Sequence, residues 1–292
     1  MQPILAAVTL RVDVAGLPAI DRLSFTTSGD RVLVLGAAGA LFEAAAGLRP
    51  TMRGELLVAG AAPVDAIRSG AVASAPLDPA LPAGWTVADY VTWSARLAGH
   101  RAAEAAVLAD QALETMELQT FRRARLGSAS RHVRRAAVVA GALATDAGTL
   151  LIEDPLAAVS PEVSQSLARR VVSATSGRRT ALFAARVPLQ SPLAVAADEA
   201  IVVDGARIAL QGPPAEVAAS AGAFTLRVTG NVTAFAAAVR ALGGTVDAPE
   251  DPSGPRRLSV QLGPLGTRDL LKLADESQAT VLELRPMGYA FA

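Results

Sequence analysis

Short apolar runs alternate with alanine-rich stretches of helical period through most of this chain, and that alternation is its main structural signal. Residues Arg31 to Leu35 (RVLVL), Thr149 to Pro155 (TLLIEDP) and Thr180 to Ala185 (TALFAA) are nearly continuous apolar runs of strand length. Strands buried on both faces read this way. Leu5 to Val14 and Ala19 to Thr27 alternate instead, as strands with one wet face do. Further strands are expected at Gly54 to Gly60 and at the start of Gly70 to Pro82, which runs into a proline-broken loop. A hairpin is expected from Ala200 to Val203 and Arg207 to Gln211 around Asp204-Gly205. Helical period marks Val87 to Ala98, Ala102 to Leu118, an apolar segment ending near Ala144, Pro161 to Ala174, and a short piece after Pro213-Pro214. Strands interleaved with helices predict an α/β fold with a mainly parallel sheet covered on both faces.

The pattern changes near Gly222. Phe224 to Thr229 alternates, Val232 to Leu242 has a helical period, and Gly244 to Asp247 is a short strand. After a loop rich in Pro, Glu and Asp come strand Leu258 to Leu262, helix Thr267 to Ser277 and strand Thr280 to Leu284. The order β-α-β-β-α-β predicts a small ferredoxin-like α+β domain. The expected domains are therefore 1–219 and 223–292.

Composition narrows the function classes. A chain of 292 residues with 51% apolar residues can bury a substantial core. A formal net charge of +0 gives no overall attraction to nucleic acid, so no nucleic-acid partner is expected. Without cysteine there is no disulfide framework, thiolate metal site or thiol nucleophile. No basic-then-apolar leader opens the sequence, and no uninterrupted apolar run reaches the roughly 18 residues that span a bilayer. A cytoplasmic protein is expected.

The candidate chemistry centres on Arg31 to Pro50, RVLVLGAAGALFEAAAGLRP: a buried strand, a Gly-Ala turn and a helix-like segment. Such a turn can aim backbone N–H groups and a helix N-terminus at a phosphate. A working phosphate loop reads G-x-x-x-x-G-K-[ST]. Here Gly36 is followed only by Ala37, Ala38, Gly39 and Ala40 before Leu41. The only lysine in the chain is Lys272, so no neighbouring ammonium replaces the missing one.

Taken in order, the landmarks AIDRLSF, SGDRVLVLGAAG, AAAGLRPTMRGELLVAG, PLDPALPAGWTVADYV, TLLIEDPLAAVSPE, RRTALFAAR and ADEAIVVDGARIALQGPPAEV resemble the ATP-binding subunits of ABC transporters. The resemblance is to the exporter type with a small C-terminal domain, and the closing RPMGYAFA is similar to the end of that domain. It implies a P-loop NTPase-like ABC ATPase core in 1–219, comprising a mainly parallel sheet, an antiparallel β subdomain and a helical subdomain at about 85–145.

Measured against that family, the nucleotide-handling residues depart one after another. Val14 stands where an aromatic residue would stack on adenine. The phosphate loop lacks about four residues, lysine and hydroxyl included. Leu77 replaces the glutamine that senses metal and water, and its side chain neither donates nor accepts. The LSGGQ signature corresponds to Ala129, Ser130, Arg131, His132 and Val133, in which only the serine survives. The strand-end pair Asp-Glu is inverted to Glu153 and Asp154, and Arg186 stands in place of the histidine that meets the terminal phosphate. Phosphoryl transfer depends on positioning and charge, and every positioning group is altered. The expectation is a pseudo-ATPase: no catalytic residue, no metal and no bound cofactor. It would associate with an integral-membrane permease and a second, intact ATP-binding subunit, peripheral on the inner face of the cell membrane, in a structural or regulatory role. Two alternatives stand beside it. One is a weakly active subunit that still captures Mg-ATP. The other is a permease-free cytoplasmic adaptor.

Tyr90 and Trp93 lie where the family's helical subdomain meets its permease, and aromatic residues are common anchors there. Packing within the subdomain is the plainer account. The cluster Arg122, Arg123, Arg125, Arg131, Arg134 and Arg135 reads first as a solvated helix face. A sharper reading sets Arg131 against a nucleotide held by the partner subunit. For Glu153 and Asp154 the plainer account is a strand end with a turn at Asp154-Pro155. His132 beside Ser128 and Ser130 reads as a surface histidine.

Overall fold

The computed structural model describes residues 2–204, 207–220, 223–247 and 256–286. The chain forms two compact units, Met1–Gln211 and Gly212–Ala292.

In the first unit β1 (Leu5–Val14) pairs antiparallel with β2 (Leu17–Thr26) on one side. β3 (Arg31–Gly36) leads through two residues into α1 (Gly39–Ala45). β4 (Arg53–Val58) returns to pair with β1, completing an antiparallel sheet of order β2-β1-β4. After α2 (Pro63–Arg68) and β5 (Val72–Ala75) come three helices, α3 (Val87–Leu97), α4 (Ala102–Thr115) and α5 (Arg131–Ala144). β6 (Thr149–Glu153), α6 (Pro161–Ala174), β7 (Arg179–Ala184), α7 (Pro192–Val195), β8 (Glu199–Asp204) and β9 (Arg207–Gly212) follow. They build a six-stranded sheet of order β5-β6-β7-β3-β8-β9, in which β5/β6, β6/β7, β7/β3 and β3/β8 are parallel.

The sheet order places β3 between β7 and β8, and the sequence makes that position stable. Val32, Leu33, Val34 and Leu35 are all buried, each contributing roughly 1.5–3 kcal/mol. That burial fixes the end of the strand, and with it Gly36. Glu199 at the start of β8 locks the turn into β3, because its carboxylate accepts N–H bonds from Ser28 at 2.7 Å and Gly29 at 2.9 Å. Thr86 and Asp89 close a reciprocal cap on α3 at 3.1 and 2.9 Å, which explains where that helix begins. From Ala136 onward α5 is buried on every side, a central helix rather than a surface one. Among the described residues no helix is long and apolar enough to cross a membrane.

The second unit holds α8 (Pro214–Ser220), β10 (Ala223–Gly230), α9 (Val232–Ala241), β11 (Thr245–Asp247), β12 (Arg256–Gln261), α10 (Thr267–Glu276) and β13 (Ala279–Pro286). Its sheet runs β11-β12-β10-β13 with antiparallel pairs, the ferredoxin-like arrangement. It has its own core, including Phe224, Leu226, Phe235, Val239, Leu258 and Leu270. α8 groups with this unit, so the division falls at Gly212 and not between 219 and 223. Gly205, the Pro/Glu/Asp-rich loop at 248–255 and the segment 287–292 lie outside the described residues.

Candidate functional site

The tip of β3 and the entrance of α1 are joined by Ala37 and Ala38 alone. A connection this short cannot open into a cradle, and its donors are already engaged. Gly36 N–H donates to Ala185 O at 3.2 Å, Ala37 N–H to Val203 O at 3.0 Å, and Ala38 N–H to Gly36 O at 2.8 Å. Gly36 adopts φ +87°, and a Cβ there would come within 2.5 Å of Val203 O. Only glycine permits the strand to close on β8 in this way. α1 then begins at Gly39, with Ala38 at its N-cap making no side-chain bond and Ala40 in its first turn.

Glu153, the last residue of β6, faces this entrance. A methyl group built on Gly39 would sit 3.8 Å from Glu153 Oε1, while Oε2 accepts the N–H of Leu77 at 2.8 Å. Leu77 therefore does contact the strand end, but through its backbone. Burial pushes the Glu153 carboxyl above its usual range; the Leu77 bond and the Arg135 charge oppose this, and the charges of Glu43 and Asp154 add to it. Asp154 is likewise raised by burial, against the charge of Arg135 and backbone N–H bonds from Ala185, Ala157 and Leu156. Its own N–H donates to Phe183 O at 2.7 Å, and its carbonyl accepts from Ala157 at 3.1 Å, which forms the expected turn. Burial works against the ionised form of both carboxylates, which is the form that would hold a metal. The residues present do not fit a magnesium–triphosphate: the link supplies neither lysine nor hydroxyl, its amides are bonded to Ala185, Val203 and Gly36, and an acidic side chain faces the helix entrance.

The remaining candidates lie on other elements, Arg186 following Ala185, whose carbonyl takes the Gly36 N–H. Arg186 is exposed just beyond β7. Ser130 is the N-cap residue of α5, yet its hydroxyl lies 3.2 Å from His132 Nδ1 and makes no cap bond. Among the described residues no carboxylate pairs with His132, and Val133 is buried. Exposed Arg131 reaches Ala158 O at 3.3 Å. Val14 is partly exposed at the end of β1.

The arginine cluster is not one solvated face. Arg122, Arg123 and Arg125 are exposed, and Arg122 pairs with Asp110 at 3.0 Å. Arg135 is buried at 6% exposure because α5 turns it inward against the segment at Asp78. On α3, Tyr90 is half-buried and Trp93 is 43% exposed. Trp93 stacks edge-on against Trp85, with centroids 5.5 Å apart. Sequence reasoning overlooked Trp85, although its place just ahead of the α3 cap was a signal for it.

No family model matches the chain. The taurine import ATP-binding protein TauB of Mesorhizobium japonicum is 32% identical over 162 residues, covering 53% of this chain and 62% of that protein. The chain thus spans less than two thirds of that curated relative. Among solved structures, cbiO1 from Clostridium perfringens, part of the ABC transporter complex cbiONQ, superposes with TM-score 0.61 at 19% identity, over 74% of this chain and 91% of that one. A nucleotide-free ATP-binding cassette from an ABC transporter gives TM-score 0.61 at 16% identity, over 72% and 91%. These likenesses establish the fold, the P-loop NTPase fold of ABC ATPase domains.

Proposed function

From the ABC ATPase fold of this chain we propose that it is a catalytically silent ATP-binding-type subunit of an ABC transporter. It sits on the cytoplasmic side against an integral-membrane permease, paired with a second, intact ATP-binding subunit, and its role is structural or regulatory. The observation that carries this reading is the inward use of the Gly36, Ala37 and Ala38 amides, which leaves the connection without the donors that would hold a triphosphate. The likeness to TauB supports the transporter setting. The half-exposed Trp93, braced by Trp85 and Tyr90, supports a permease-facing patch on α3. Arg131, exposed at the start of α5, is suited to face a nucleotide held by the partner subunit.

Two measurements test the reading. Titration of the purified protein with Mg-ATP should give no micromolar binding and no turnover above background. Saturable micromolar binding would favour the weakly active alternative. The tagged protein should co-purify with a polytopic membrane protein from detergent-solubilised membranes. Recovery of the chain alone, in the soluble fraction, would favour the adaptor.

A further inference from the structure

Between residues 77–81 and the first turns of α5 lies a cleft of about 250 Å³, lined by Leu77, Leu81, Val138 and the arginines 131, 134 and 135. Arg135 is the unusual member. Its guanidinium is 6% exposed, and its Nε and Nη1 have no hydrogen-bond partner. Only Nη2 is engaged, at a long 3.4 Å, to an Asp78 carboxylate that is itself 84% exposed. Buried guanidinium donors are almost always answered by an acceptor. The charge of Arg135 reaches Glu153 and Asp154, but neither bonds to it, and burial disfavours the ionised form of both. The Asp78 carboxylate lies mostly in solvent, where water competes for that bond.

We propose that this cleft binds a small tetrahedral oxyanion of the phosphate class, with Arg135 as the buried charge and Arg134 and Arg131 completing the site. Three guanidinium groups supply the forked donors that phosphate oxygens take in pairs. The apolar lining of Leu77, Leu81, Leu126 and Val138 lowers the local dielectric and strengthens each contact. A cleft of about 250 Å³ has room for a free anion and falls below the roughly 300 Å³ at which pockets for drug-sized ligands start. Arg134 already donates from Nη1 to Ala129 O at 2.7 Å, which holds it in place with its other nitrogen atoms available to a ligand. The site lies within one chain and uses none of the β3–α1 amides, so the proposal does not rest on how that connection spends its donors.

The test uses the full-length protein, with calorimetric titration of potassium phosphate against potassium chloride at matched ionic strength. Wild type should bind phosphate saturably, Arg135→Gln should lose that binding, and Arg134→Gln should weaken it about tenfold or more. Arg123→Gln, outside the cleft, should bind as wild type does. If Arg135→Gln does not fold, Arg134→Gln and Arg131→Gln carry the comparison. Absence of saturable binding by wild type, or binding unchanged in Arg134→Gln, would overturn the proposal. ATP without magnesium separates the sources: binding tighter than phosphate, and lost in Arg134→Gln, would assign the arginines to a nucleotide's phosphates and overturn the free-anion assignment.

Discussion

Glu153 is held between two opposing demands, a half-buried setting that favours its protonated form and a Leu77 N–H that favours the carboxylate, and burial prevails. Its proton is bound more tightly in the folded chain than in the unfolded one, where a glutamate titrates near about 4.3. Its contribution to stability is therefore fully present below that value and is lost as pH rises through the raised folded value. Glu153→Gln keeps an oxygen for Leu77 and removes the ionisation cost. We expect the variant to have the higher urea midpoint at about pH 8, with the gap closing as pH falls toward about 4. A variant no more stable than wild type at the higher pH would contradict this. At Gly36 the constraint is steric: with φ +87° and Val203 O 2.5 Å from any Cβ, Gly36→Ala should cost on the order of 1–3 kcal/mol in denaturant unfolding. The identities of Gly36, Leu77, Glu153 and Asp154 were legible in the sequence as departures from a motif. Their contacts were not. The Leu77–Glu153 bond joins residues 76 positions apart, and the loop amides find acceptors at Ala185 and Val203, beyond any local pattern. The burial of Arg135 was hidden because a chain so rich in arginine makes each one look like surface.

Among the elements, α1 shows how seven residues can be held without a side-chain cap. Phe42 on α1 and Phe183 on β7 meet edge to face at 5.4 Å, and both are essentially fully buried. Phe42→Ala should cost about 3–5 kcal/mol, the range for truncating a buried aromatic ring. Chemical denaturation monitored by far-UV circular dichroism would check it, and a loss below about 1 kcal/mol would mean α1 is anchored otherwise. The strands and long helices were readable because each repeats its period several times. The six residues of α2 and four of α7 show too little of a period to be recognised. α4 was expected to reach Leu118 and stops at Thr115, because Glu117 takes a left-handed backbone with φ +53° that a helix cannot continue through. The arginine-rich stretch ahead of α5 is a series of turns and a short 3-10 segment, so that helix starts only at Arg131.

For the whole molecule, the division into two compact units, each with a core of its own, implies two separate cooperative events. One core is built on β1–β4, α1 and the parallel sheet; the other is the Phe224–Ala279 cluster. Differential scanning calorimetry should resolve two transitions, and Phe235→Ala, fully buried in the second core, should move only one of them. A single transition with equal calorimetric and van't Hoff enthalpies would contradict that. The change of pattern near Gly222 announced the second unit in the sequence, whereas the place of α8 depended on packing.

The two-residue link between β3 and α1 also sets what a phosphate loop designed into this chain would require. Exchanging Ala40 for lysine would set a charge on the first helical turn while Gly36, Ala37 and Ala38 stayed bonded to their own sheet, so no guest would gain a foothold. Such a design calls for added length before new letters: about four inserted residues would have to lift those amides off Ala185 and Val203 before a lysine had anything to complete. Point substitutions alone thus cannot give this turn a phosphate cradle; the length of the link comes first.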